Sequence, residues 1–232
     1  MSASKKPVID VVMPALNEED AIGRVLADMP WDQVRRVVVA DNGSTDRTAE
    51  VARNGGAIVV PAPQRGYGAA CLAALAHVRK DPPDIIVFLD ADYSDHPEEL
   101  PEVAGPVVRG THDLVIGSRT RGDNEPGALL PQAIFGNWLA CTLIHGIYGV
   151  EFSDLGPFRA VRWDALEAMR MEDEDFGWTV EMQIKAAKQS MRCTEVPVRY
   201  RKRVGVSKVT GTLRGSFLAG YKILYLIFRE AI

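Results

Sequence analysis

Short runs of Val, Ile and Leu recur through the first half of this chain: Val8 to Met13, Val34 to Ala40, Ala57 to Val60, Ile85 to Leu89 and Asp113 to Ile116. Continuous apolar runs of this length predict strands buried on both faces. Helical patterns fill the intervals at Glu18 to Asp28, Asp46 to Arg53, Tyr67 to Arg79 and Pro97 to Val108. Ser44 or Thr45 is placed to cap the second helix, and Pro97 suits the first turn of the fourth. Such alternation predicts an α/β fold with a mostly parallel central sheet, flanked by helices and wound by right-handed crossovers. Ligands of such sheets sit beyond the carboxyl ends of the strands. Those ends carry Asn17 and Glu18, then Asp41, then Asp90 and Asp92.

The second half is less regular. Residues 126–150 contain no Asp, Glu, Lys or Arg, and Ala133 to Tyr148 reads as a helix. Trp178 to Gln189 is an amphipathic helix, Cys193 to Tyr200 a strand, and a terminal helix starts near Leu213. No repeat or linker divides the 232 residues, which suit one large domain. A net charge of −4 argues against a nucleic-acid partner. One local excess stands out: between Glu195 and Glu230 there is no acid, yet Arg199, Arg201, Lys202, Arg203, Lys208, Arg214, Lys222 and Arg229 fall there. Three widely spaced cysteines, Cys71, Cys141 and Cys193, read as reduced thiols of a cytoplasmic protein. The N-terminus lacks the pattern of a signal peptide, and the apolar run from Phe217 to Phe228 is too short to span a membrane.

Asp90-Ala91-Asp92, directly after an apolar strand, is the sharpest chemical signal. Two carboxylates at that spacing suit a Mg²⁺ or Mn²⁺ ion that neutralises a departing diphosphate, although an acidic helix cap has the same look. Asp41-Asn42-Gly43-Ser44 offers a carboxylate to a base edge or ribose hydroxyl, or simply a strand-to-helix turn. Pro14-Ala15-Leu16-Asn17-Glu18-Glu19 follows the first strand in the same way, with acids complementing a helix N-terminus as its simpler reading. Arg65-Gly66-Tyr67-Gly68 is a glycine-rich turn that opens a small-residue helix and could admit phosphates.

Taken in order, these four motifs resemble glycosyltransferase family two, whose members have the Rossmann-like GT-A fold. The resemblance continues through Gly117-Ser118-Arg119, Ser153 to Arg159 and Glu195 to Tyr200, and so covers almost the whole chain. Within the family it is most similar to the dolichol- and polyprenyl-phosphate sugar transferases. The resemblance implies a single GT-A domain, with residues 1–118 binding a nucleoside-diphosphate sugar and residues 119–232 forming an acceptor side that ends in a helical segment. It implies that Pro14, Ala15, Asn17, Glu18 and Asp41 hold base and ribose, with Arg65, Gly68 and Ala91 also on the donor. Asp90 and Asp92 would serve the metal, Ser94 standing near it. Asp154 and Arg159 would join Asp92 at the reaction centre, and Arg119, Arg201 and Lys208 would hold acceptor phosphate. A solvated basic face is the plainer reading of that cationic run.

One departure from the family bears on the acceptor. Members that glycosylate a hydroxyl carry Glu-Asp, with the Asp as base, where this chain has Trp178 and Thr179. A phosphate monoester is already ionised at neutral pH and needs no base. The expected reaction is therefore an inverting transfer to a lipid phosphate at a membrane surface, with the enzyme peripheral on the inner face. The Glu172 to Asp175 cluster remains an alternative source of a base. Ala133 to Tyr148 and Phe217 to Phe228 suit the membrane interface, with core or homodimer packing as the alternative. The competing functions are a soluble family-two transferase acting on a small hydroxyl or phosphorylated acceptor, a sugar-phosphate nucleotidyltransferase and a non-catalytic binding module. A nucleotidyltransferase needs a glycine-rich basic loop after the first strand, where this chain has Pro14 to Glu19.

Overall fold

The structure is a computed structural model that describes residues 6–205 and 213–231. Its first half alternates β1 (Ile9–Ala15), α1 (Ile22–Ala27), β2 (Arg36–Asp41), α2 (Thr48–Asn54), β3 (Ile58–Pro61), α3 (Tyr67–Val78) and β4 (Ile85–Phe88). A 3-10 turn at Pro97–Glu99 then leads into α4 (Leu100–Val108) and β5 (Leu114–Ser118). After these come α5 (Pro131–Tyr148), β6 (Arg159–Arg162), α6 (Trp163–Met169), α7 (Trp178–Lys188), β7 (Cys193–Pro197) and α8 (Leu213–Arg229). The seven strands form one sheet in the order β3-β2-β1-β4-β6-β5-β7. β6 runs antiparallel to both β4 and β5, and every other pairing is parallel.

The apolar runs are continuous because both faces of the sheet are covered. Val11 and Met13 of β1 pack with Ile22 and Leu26 of α1 and Leu100 and Val103 of α4. Val12, pointing the other way, joins a layer built from Ala74 and Leu75 of α3, Ile144 of α5 and Trp178 and Ile184 of α7. The one acid inside β1, Asp10, is fully buried and is held by Arg35 at 2.7 Å and Arg36 at 2.9 Å.

Two expectations are corrected here. The β6–α6 unit was not foreseen, since Arg159 and Arg162 bracket only two apolar residues in β6. Neither Ser44 nor Thr45 caps α2. Ser44 Oγ accepts the Asn17 N–H at 3.0 Å, and the Thr45 N–H donates to Asn17 Oδ1 at 2.8 Å, so both tie the first two strand-end loops together. Asp46 takes over the capping, its Oδ1 accepting the Thr48 N–H at 2.9 Å.

Candidate active site

The ends of β1 and β4 open onto a cavity of about 360 Å³. Pro14, Ala15 and Glu18 line it from β1, Asp90, Ala91 and Asp92 from beyond β4, and Arg65, Gly66 and Tyr67 from the start of α3. A second cavity of about 490 Å³ lies toward α5 and α8 and is lined by Arg119, Leu130, Ala133, Asn137, Trp178, Thr179, Lys202 and Ile223 among others. The two share Tyr67, Asp90, Asp92, Phe176 and Arg203 as common walls. Among the described residues Asp90 and Asp92 are the only carboxylates that line the second cavity.

The junction concentrates charge. Tyr67 donates its hydroxyl to Asp90 Oδ1 at 2.9 Å, yet burial and then the charge of Asp92 push Asp90 up to about 7. Asp92 Oδ1 accepts the Ser94 N–H at 2.9 Å and the Ser94 hydroxyl at 2.5 Å, which leaves Oδ2 facing Arg203 Nη1 at 3.2 Å. Behind them Asp95 is buried with no hydrogen-bond partner on either oxygen, and burial with the charges of Asp90 and Asp92 raises it well above the carboxylate range. The residue after Asp92, Tyr93, adopts a left-handed φ of 64°, a strained conformation for a bulky side chain. Its hydroxyl bonds Asp28 at 2.7 Å and the Arg201 guanidinium stacks 3.4 Å from its ring centroid, so the strain is held from two sides.

The expected site residues divide into those that reach the cleft and those that support it. Pro14, Ala15, Glu18, Arg65, Asp90, Ala91 and Asp92 line the first cavity, and Arg119 lines the second. Asn17 and Asp41 lie just outside, where Asp41 Oδ1 accepts the Ser44 N–H at 3.0 Å. Gly68 serves packing: a Cβ there would stand 1.8 Å from the Asp173 carbonyl. The Gly68 and Ala69 N–H groups donate to the Asp175 and Glu174 carbonyls at 3.2 and 2.8 Å, so this helix start is closed to phosphate. Asp154 does not line either cavity. It is fully buried and accepts three bonds from Arg119, at 2.7 Å from the backbone N–H, 2.9 Å from Nε and 2.7 Å from Nη2. Burial works against the Arg119 charge, but Asp154 outweighs it and raises its pKa.

Arg159 likewise stays away from the cleft. It is wholly buried and donates to the carbonyls of Gly156 at 3.1 Å, Thr179 at 3.0 Å and Leu155 at 3.2 Å, with burial lowering its pKa to about 10. Arg201 spends its guanidinium on the Tyr93 carbonyl at 2.7 Å and the Asp95 carbonyl at 3.0 Å. Lys208 lies outside the described residues. The cationic run is also less cationic than its sequence: Arg199 pairs with Glu98 and Glu99, Lys202 with Glu125 and Lys222 with Asp173. Among the described residues Arg203 is the member of that run at the junction, and sequence reasoning passed it over in favour of Arg201. Tyr67, Asn42 and Phe176 were also missed. Asn42 follows Asp41 at the strand end, and its side chain fastens the Ala62, Gln64 and Gly66 backbone.

Among the described residues no group of three or more His, Cys, Asp or Glu could hold a metal unaided. Two carboxylates that leave the remaining positions to water and phosphate are what Mg²⁺ and Mn²⁺ ask for. The Arg203 guanidinium against Asp92 Oδ2 marks a spot that already receives positive charge. The donor set therefore fits a divalent ion.

The parallel sheet, the antiparallel β6 insert and the carboxylate pair beyond β4 define the class. The chain belongs to glycosyltransferase family 2, whose profile (Glycosyl transferase family 2) matches residues 10–168, and it has the GT-A fold. It is 36% identical over 214 residues to an uncharacterized glycosyltransferase of Mycobacterium tuberculosis, covering 91% of this chain and 94% of that one. It is also 36% identical over 226 residues to a dolichyl-phosphate hexose transferase of Haloferax volcanii, covering 96% and 95%. Its fold resembles glucosyl-3-phosphoglycerate synthase of Mycobacterium tuberculosis, solved with Mn²⁺, UDP-glucose and phosphoglyceric acid. That match has a TM-score of 0.78 and 24% identity, over 97% of this chain and 80% of the other.

Proposed function

We propose that this glycosyltransferase moves a hexose from a nucleoside diphosphate to a polyprenyl or dolichyl phosphate, with inversion and with help from Mg²⁺ or Mn²⁺. The observation that carries the reading is the make-up of the second cavity: cations, apolar side chains and neutral polar groups such as Gln132, Asn137 and Tyr200, with no carboxylate among the described residues beyond the Asp90/Asp92 pair. A hydroxyl acceptor needs a base in that wall, and Trp178 and Thr179 supply none. An ionised phosphate needs positive charge, which Arg119 and Lys202 offer.

The donor nucleotide would lie along Pro14, Ala15, Glu18 and Arg65, and its sugar would reach the junction beside Tyr67 and Phe176. A divalent ion on Asp92 and Asp90 would offset the charge that develops on the leaving diphosphate. Arg119, fixed by Asp154, would orient the acceptor phosphate oxygen toward the sugar carbon. Because the cavities adjoin at Asp90, Asp92 and Arg203, the acceptor can approach without crossing the nucleotide. In this reading residues 1–118 serve the donor and 119–232 the acceptor.

An isoprenoid tail would continue past Leu130 and Ile223, which line the cavity from α5 and α8. Those two helices also present Ile134, Phe135, Trp138, Tyr221, Tyr225 and Phe228 to solvent, an apolar surface suited to the membrane interface. No helix among the described residues is long and apolar enough to cross a membrane, so contact would be peripheral. The testing experiment offers a matched sugar nucleotide with a short polyprenyl phosphate, the corresponding polyprenol and phosphoglycerate. Transfer to the polyprenyl phosphate is expected. Transfer to the polyprenol alone would refute the phosphate reading, and transfer to phosphoglycerate alone would replace the lipid with a small phosphorylated acceptor.

A further inference from the structure

Arg203 sits where two buried carboxylates from different strand ends converge. Its Nη2 lies 2.8 Å from Glu18 Oε1, beyond β1, and its Nη1 lies 3.2 Å from Asp92 Oδ2, beyond β4. The backbone beside it is fixed to the same loop, with the Arg201 N–H on the Ser94 carbonyl and the Val204 N–H on the Asp92 carbonyl, both at 2.9 Å. The guanidinium keeps one donor in reserve, for Nε is buried with no hydrogen-bond partner among the described residues. It also lines both cavities.

A guanidinium and a divalent ion cannot both claim Asp92 Oδ2, because two positive centres would then stand within a few ångströms in a partly desolvated cleft. A diphosphate could lift the conflict, since its oxygens match the guanidinium fork and the spare Nε donor. We propose that Arg203 is a positioning residue that couples the two ligands: it holds Asp92 against the metal until a nucleoside diphosphate draws the guanidinium onto its phosphates. Metal and donor therefore bind cooperatively, and by linkage each strengthens the other by the same factor. This rests on the metal reading given above.

Mn²⁺ binding is titrated with and without saturating uridine or guanosine diphosphate, in the wild type, Arg203→Gln, Arg203→Lys and Asp92→Asn. Circular dichroism confirms the fold of each. In the wild type the diphosphate is expected to raise Mn²⁺ affinity at least about tenfold, within the usual range of coupling between sites. Arg203→Gln should bind Mn²⁺ about tenfold more tightly without nucleotide, and the ratio of affinities with and without nucleotide should fall by a similar factor. If Arg203→Gln fails to fold, Arg203→Lys carries the test, because one ammonium cannot span Glu18 and Asp92 and the ratio should fall at least about threefold. An equal gain in affinity with and without nucleotide would mean a general charge effect and overturns the coupling, as does no gain at all. If neither diphosphate brings any Mn²⁺ to the wild type, the metal reading itself fails. If the wild type binds and Asp92→Asn does not, that reading stands whatever Arg203 does.

Discussion

Asp154→Asn tests the buried pair behind the second cavity. Asp154 is sealed from solvent and receives three N–H groups of Arg119, whose side chain is 16% exposed. Removing one member of a buried ion pair typically costs about 3–5 kcal/mol, because the remaining charge stays desolvated. Asparagine keeps the volume and one acceptor oxygen, so the expected loss is about 2–4 kcal/mol. For a domain of this size that lowers Tm by roughly 5–15 °C. Urea denaturation should show a lower midpoint at an unchanged slope. The double variant Asp154→Asn, Arg119→Gln should lose less than the sum of the singles, with a coupling of about 1–3 kcal/mol. Kinetically, Asp154→Asn should raise the acceptor KM through a loosened Arg119 and leave donor affinity unchanged. A loss under about 0.5 kcal/mol, or an effect on donor alone, would refute this account of Asp154.

Three further outcomes follow from single contacts. Gly68→Ala forces a Cβ to within 1.8 Å of the Asp173 carbonyl, so it should cost about 3 kcal/mol or more and weaken nucleotide binding through the loop that carries Phe176; thermal unfolding with and without nucleotide checks both. Asp92→Ala should abolish turnover while the circular dichroism spectrum survives; full activity of that variant, or full activity of the wild type in excess EDTA, would remove the metal from the account. Asp113 is held at about 2 by its hydrogen bonds to Arg192 and by the Arg162 charge. Its folded pKa lies below the unfolded value, so its stabilisation is present above about pH 4 and fades as pH falls toward 2. Because Arg192 is half exposed, that term is about 1–2 kcal/mol, and Asp113→Asn should flatten the acid limb of the stability–pH curve accordingly.

Much of the first half was legible because local pattern and burial coincide there. β1, β2 and β4 are covered on both faces, so their sequences are nearly continuous apolar runs, interrupted inside β1 by the ion-paired Asp10, and the polar residues beyond their ends mark the cleft. The second half was harder to read because its logic is non-local. β6 has four residues and an arginine at each end, and Arg159, which the resemblance places at the reaction centre, is instead spent on three carbonyl acceptors that come together only in space. The charge of the run after Glu195 depends on acids such as Glu18, Glu98 and Glu125, all far off in sequence. The choice between Arg201 and Arg203 turned on the strained Tyr93, which claims Arg201 for its ring and carbonyl and leaves Arg203 for the junction. No spacing rule signals that strain.

The central claim, that the sugar crosses at the Asp90/Asp92 junction between the two cavities, is tested most directly by crystals grown with Mn²⁺ and a nucleoside diphosphate. The account predicts an anomalous manganese peak about 2.1 Å from an Asp92 carboxylate oxygen, with the nucleotide along Pro14, Ala15 and Glu18 and Arg203 turned onto its phosphates. A peak away from Asp92, or a nucleotide in the cavity between α5 and α8, would contradict it.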